Sequence, residues 1–300
     1  MQDHPRAGYF ISIGAALCWA LTGPGVKFVQ DNFALAPIAL AFWRVVITSV
    51  TLLLGLWLVR PDLLRVNREQ LKLLLFSGVI GIGIYQTAFV YSIKLNGAAI
   101  GIVLVYVYPV FVALGSYLFL KEHLTGYQLI AMLISLLGCA LIVQLYDPTA
   151  LFQNPLGALV GLASALLQAL YTLLSRQLAL TTGANTHPVT TLTYTFVFGG
   201  CTLLLIALLS ARQPVFTQMN WSAIPAITVL ALGPTMTGYA LFNWALSKLS
   251  GRIVSLIVIA EVPLAALIGV FFLHESLSAV QVMGIGLVLA GIALPSIQSK

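Results

Sequence analysis

Charge is what this sequence has least of. Of its 300 residues, 14 are Lys or Arg and 8 are Asp or Glu, so 7% carry charge; a soluble domain carries about 25%. Sixty per cent of the residues are hydrophobic. A chain of this length cannot hide that much apolar surface from water, so a soluble fold is excluded and the solvent is lipid. Histidine is also scarce. All four histidines fall near the ends of apolar runs, and metal ligation needs three or four converging ligands. Lys121-Glu122-His123 and His274-Glu275 read instead as solvated helix ends. Cys18, Cys139 and Cys201 lie inside apolar runs with no Cys or His at ligand spacing, which marks them as buried apolar side chains. A Walker phosphate loop, an HExxH pair and a Rossmann fingerprint are all missing. No cofactor or metal is therefore expected, and neither a primary pump nor a dehydrogenase is supported. The net charge of +6 comes from bases scattered at helix ends. That speaks against nucleic acid as a partner and for a lipid bilayer.

Apolar runs are what the sequence has in quantity. A helix needs about 20 apolar residues to cross the hydrocarbon core. Ten runs approach or exceed this: Gly8–Val29, Ala34–Leu58, Leu71–Ile93, Gly97–Leu120, Thr125–Leu145, Pro155–Leu178, Pro188–Leu209, Ser222–Leu246, Gly251–Leu273 and Ser278–Ser296. The polar breaks between them are too short for a soluble domain. The first run has no small-residue cleavage site and reads as an uncleaved helix. With the N-terminus in the cytoplasm, Arg6, Arg60, Arg65, Arg68, Lys72, Lys121, Arg176, Lys248, Arg252 and Lys300 lie inside, and Lys27, Lys94 and Arg212 outside. This bias fits the positive-inside rule and puts both termini in the cytoplasm.

One stretch occurs twice. Ile257–Ser278 holds Glu261, a carboxylate far from other charges, and Pro263, which deprives the Ile259 carbonyl of its helical N–H partner. Leu104–Thr125 repeats the pattern around Pro109. A shift of 153 residues superposes Glu122 on Glu275, Leu124 on Leu277, Gln128 on Gln281 and Gly138 on Gly291. A shift of 154 superposes Tyr85 on Tyr239, Lys94 on Lys248 and Pro109 on Pro263, and a shift of 149 pairs Lys27 with Arg176. The expected fold is all-α and integral to the membrane: ten transmembrane helices in two five-helix repeats, 1–148 and 149–300. Five is odd, so the second repeat enters from the opposite side and the pair is inverted around a central cavity.

These ten runs, and the repeat ending Glu-x-Leu-[Ser/Thr]-x-x-Gln…Gly, resemble the EamA family of the drug/metabolite transporter superfamily over nearly the whole chain. Within that family the chain looks most like bacterial inner-membrane exporters of amino acids, the YddG type. The resemblance implies a basket in which the first four helices of each half line the cavity. Helices five and ten then brace the outside, often at a homodimer contact. An acidic residue beside the proline of helix nine is common in the family; here Val262 separates Glu261 from Pro263.

Two charges fall mid-membrane, Arg44 and Glu261. Each costs at least about 2.5–3.5 kcal/mol there, which makes it a functional candidate by default. They either pair across the halves or face the cavity and meet a zwitterion, Arg44 at the carboxylate and Glu261 at the ammonium. Glu261 is also a candidate proton carrier. Trp19, Tyr85, Tyr106, Gln168, Tyr239 and Trp244 complete the expected substrate-binding set, drawn from a wider group with Gln86, Tyr108, Tyr171 and Asn243. Buried phenols and amides want hydrogen-bond partners, which a wet cavity supplies. Pro109 and Pro263 are candidate hinges, with Pro24, Pro234 and Gly78, Gly81 and Gly83 as further loosening points. The expected function is secondary active export of a small organic solute, most of all amino acids, and not enzymatic. A nucleotide-sugar exchanger would want more cavity cations than Arg44. A channel lacks rings of charge or carbonyls, and an intramembrane enzyme lacks a base at the depth of a nucleophile.

Overall fold

The computed structural model describes residues 5–33, 35–122, 125–145, 154–180, 186–209, 216, 220–273 and 276–297. Regular structure among them is helical, as it must be where no water can satisfy a stray backbone group. The ten helical segments are α1 (Arg6–Phe33), α2 (Pro37–Val59), α3 (Arg68–Asn96), α4 (Ile100–Phe119), α5 (Gly126–Ile142), α6 (Pro155–Leu180), α7 (Pro188–Leu209), α8 (Trp221–Lys248), α9 (Gly251–Phe272) and α10 (Ala279–Leu294). Eight are long and apolar enough to cross a membrane; α5 and α10 are shorter. The chain is thus a multi-pass membrane protein. His123, Leu124, His274 and Glu275 lie outside the described residues.

The recurring Ser/Thr-x-x-Gln has a local physical reason: it is a helix-start capping box. The Ser278 N–H donates to Gln281 Oε1 at 3.0 Å and the Gln281 N–H to Ser278 Oγ at 3.3 Å. The Thr125 N–H donates to Gln128 Oε1 at 3.4 Å. Gln281 also donates from Nε2 to the Ile142 carbonyl at 3.0 Å, which ties the start of α10 to the end of α5. The motif's glycines serve the same pair. A Cβ on Gly138 would lie 2.6 Å from the Gly284 carbonyl oxygen, and one on Gly291 would strike Ser135. Small residues let two membrane helices touch backbone to backbone.

Five helices depart from regular geometry: α1 is interrupted at Leu21, and the other four departures come in pairs. α4 is interrupted at Tyr106–Val107 and α9 at Ile259–Ala260, 153 positions apart and each just ahead of a proline. The Ile259 carbonyl is not left orphaned, contrary to the sequence expectation: the tightened turn gives it the Val262 N–H at 3.0 Å. α3 widens into a π-helical stretch at Val79–Ile84, and α8 does so at Ala231–Thr237, around Pro234.

Contacts fix how the helices lie. α1 runs antiparallel to α8, with Gly8 against Leu249 and Gly238 against Trp19. α3 runs antiparallel to α6, with Gly81 against Tyr171 and Gly157 against Asn96. α5 and α10 are antiparallel as well. Each pair joins a helix from the first half of the chain to one from the second. Gly78, Gly81 and Gly83 are close packing contacts: a Cβ on any of them would meet α6 or α7 within 2.6 Å.

Candidate functional site

A cavity of about 1410 Å³ opens from the middle of the bundle to one end. It is larger than the usual ligand pocket of roughly 300–1,000 Å³ because it includes a wide mouth. Exposed Gly23, Lys27, Tyr91 and Lys94 edge the mouth. Its floor is at the level of Tyr108, Gln168, Tyr239 and Val258. Beneath the floor the bundle is packed shut by Val112, Thr172, Phe242, Leu246 and Val254, all fully buried.

Arg44, from the middle of α2, lines the cavity. Its Nε and Nη2 both donate to Thr235 Oγ1, at 3.1 and 2.6 Å. Thr235 is on the widened turn of α8, and its hydroxyl donates to the Leu230 carbonyl five residues back. The π-helical stretch therefore holds the acceptor that orients the guanidinium. Glu261 lines the opposite wall, one residue beyond the break in α9. Its carboxylate lies near the Tyr106 hydroxyl at the matching break in α4. Among the described residues no ion pair joins Arg44 to Glu261. Tyr85 lies within electrostatic range of both charges. The two part-buried charges thus face one cavity without cancelling each other, and a hydroxyl orients Arg44.

An aromatic wall closes one side. Trp19 packs edge-on against Tyr239 with ring centroids 4.8 Å apart, and against Phe242 at 5.2 Å. Tyr171 and Phe196 back Tyr239 at 5.7 and 5.1 Å. Asn243 holds this cluster in place, donating from Nδ2 to the Tyr171 hydroxyl at 2.7 Å and to the Tyr239 carbonyl at 2.8 Å. Two residues that line the cavity each hold a buried polar atom with no hydrogen-bond partner among the described residues, Trp19 Nε1, which packs against Gly238, and Gln168 Oε1. A buried polar atom left so is costly.

Of the eight side chains expected to bind solute, Trp19, Arg44, Tyr85, Tyr106, Gln168, Tyr239 and Glu261 line this one cavity. Trp244 does not; it is 52% exposed on the outer face of α8. Tyr239 and Trp244 are five residues apart, about 140° around a helix of 3.6 residues per turn, so one of them had to face away. Tyr171 and Asn243 support the wall from behind. Thr235 went unnoticed in the sequence because its role depends on the π-turn. Of the wider group, Gln86 and Tyr108 are at the wall, with Tyr108 donating to the Ser255 carbonyl at 3.3 Å. Among the described residues no group of three His, Cys, Asp or Glu could hold a metal.

The chain is similar along most of its length to proteins named as uncharacterized transporters. An uncharacterized transporter of Clostridium kluyveri is 22% identical over 95% of this chain and 92% of its own. The uncharacterized inner membrane transporter YicL of Salmonella typhimurium is 25% identical over 98% of this chain and 97% of its own. The uncharacterized transporter YwfM of Bacillus subtilis is 26% identical over 94% and 91%. One crystal structure superposes with a TM-score of 0.78 at 17% identity, covering 97% of both chains, a likeness of fold. The EamA-like transporter family matches residues 6–144 and again residues 155–297. The chain, a twice-matched set of apolar helices around a cavity that both Arg44 and Glu261 line, belongs to the EamA-like transporter family.

Proposed function

We propose that the protein is a secondary active exporter of small zwitterionic solutes, amino acids first among them. It works by alternating access between two inverted five-helix halves, 1–148 and 149–300, in a bacterial inner membrane. All ten helices cross, and both termini are cytoplasmic. One observation carries this reading: Arg44 and Glu261 line the same cavity with no ion pair between them among the described residues, and the Thr235 hydroxyl orients the guanidinium. A zwitterion supplies what each lacks, a carboxylate for the guanidinium and an ammonium for the carboxylate. Trp19, Tyr85, Tyr106, Gln168 and Tyr239 form the rest of the contact surface, and the aromatic wall suits a neutral or aromatic side chain. The excess of Lys and Arg at the closed end supports an outward-facing mouth. Pro109 and Pro263, beside the two helix breaks, are the hinges.

Purified protein in liposomes tests this with a panel of labelled amino acids, with and without a pH gradient. The expected result is saturable flux stimulated by unlabelled amino acid on the opposite side. Non-saturating flux would make it a channel, and a chemically altered solute an enzyme.

A further inference from the structure

At the end of the bundle opposite the mouth, three charged side chains converge from three helices. Glu122 follows α4, Arg176 is near the end of α6 and Arg252 is at the start of α9. Glu122 comes from the first half of the chain and both arginines from the second. Arg176 Nε is 3.9 Å from Glu122 Oε1, and Arg252 Nε is 3.8 Å from Glu122 Oε2. The side chains are only 13–16% exposed. Both contacts are too long for the 2.7–2.9 Å of a charge-assisted hydrogen bond. Glu122 Oε2, Arg176 Nε, and Arg252 Nε and Nη1 accordingly have no hydrogen-bond partner among the described residues. Arg176 is anchored separately, donating from Nη1 to the Leu246 carbonyl at 2.6 Å.

We propose that Glu122, Arg176 and Arg252 are the latch that closes the cavity at this end. The proposal rests on the alternating-access reading above. Three features distinguish a latch from a fixed brace. The cluster spans both halves of the chain, which must separate here when this end opens. It lies directly past the plug of Val112, Thr172 and Val254, and among the described residues no other charged side chain stands between it and the cavity floor. Its ion pairs attract without locking: charges at this range hold the helices together but forgo the directional bonds that would make opening slow. One carboxylate shared by two arginines also leaves an excess positive charge in a part-buried place, which favours release once the helices part.

The test is sided labelling, which needs no transported solute. Cys18, Cys139 and Cys201 are replaced by alanine, and a single cysteine is placed in the plug by Val112→Cys. A membrane-impermeant maleimide is then applied from the closed end. Glu122→Gln is expected to raise the labelling rate about five-fold, the shift in open population that loss of a modest part-buried pair produces. Glu122→Asp is expected to stay near the parent rate. Exchanging the charges, Glu122→Arg with Arg252→Glu, keeps the cluster's composition and is expected to restore slow labelling. Equal labelling of the parent and Glu122→Gln, with both monodisperse and equally heat-stable, overturns the latch. So does a charge exchange that labels as fast as Glu122→Gln. Absence of flux for every amino acid would refute the proposed function, while the labelling result still decides the latch.

Discussion

Gln168 holds a side-chain oxygen that no described group bonds, at 3% exposure on the cavity wall. Were its role structural, removing it would leave a partner unsatisfied and destabilise the protein. Since it has none for that oxygen, Gln168→Leu is expected to leave thermal unfolding unchanged or slightly raised. It should also weaken half-saturation of flux by roughly 10- to 100-fold, the worth of one hydrogen bond to a charged group. A fall in both unfolding temperature and flux would make it a core residue instead. Glu261 is tested differently. As a proton carrier it is needed when a pH gradient drives net movement but not for exchange. Glu261→Gln should keep counterflow at saturating solute and lose gradient-driven export. Loss of counterflow with net export intact would refute that role.

At the scale of the helix, the residue pattern said much and left out one thing. The ten apolar runs became the ten helices, with ends displaced by a few residues. The prolines marked both breaks to within three residues, because a missing N–H acts on the turn before it. The repeated Gln and Gly were visible as pattern but not as mechanism: a capping box and a backbone contact depend on the partner helix. The π-turns were half legible: Pro234 marks Ala231–Thr237 as irregular without saying that the turn widens, and nothing in Val79–Ile84 demands it. Yet Ala231–Thr237 presents Thr235 to Arg44. Glu122 read as a solvated tip because its neighbours in the chain are polar, and the two arginines that meet it come from 54 and 130 residues on. The α5–α10 contact gives a prediction at this scale. Gly138→Val forces a side chain against the Gly284 backbone. It should destabilise the protein by roughly 1–3 kcal/mol, read as a lower unfolding temperature in detergent, with solute affinity unchanged in the folded fraction.

The whole molecule is a cavity open at one end and shut at the other, with charge at its middle where lipid would forbid it. The central claim is that Arg44 meets the carboxylate of the solute and Glu261 its ammonium. The measurement that tests this most directly pairs variants with solute analogues: competition of counterflow by an amino acid and by its primary amide, in the parent and in Arg44→Gln. The parent should prefer the amino acid by roughly 10- to 100-fold, the worth of a charge-assisted bond, and Arg44→Gln should lose that preference while remaining folded. An Arg44→Gln protein that discriminates between the two as sharply as the parent would contradict the account.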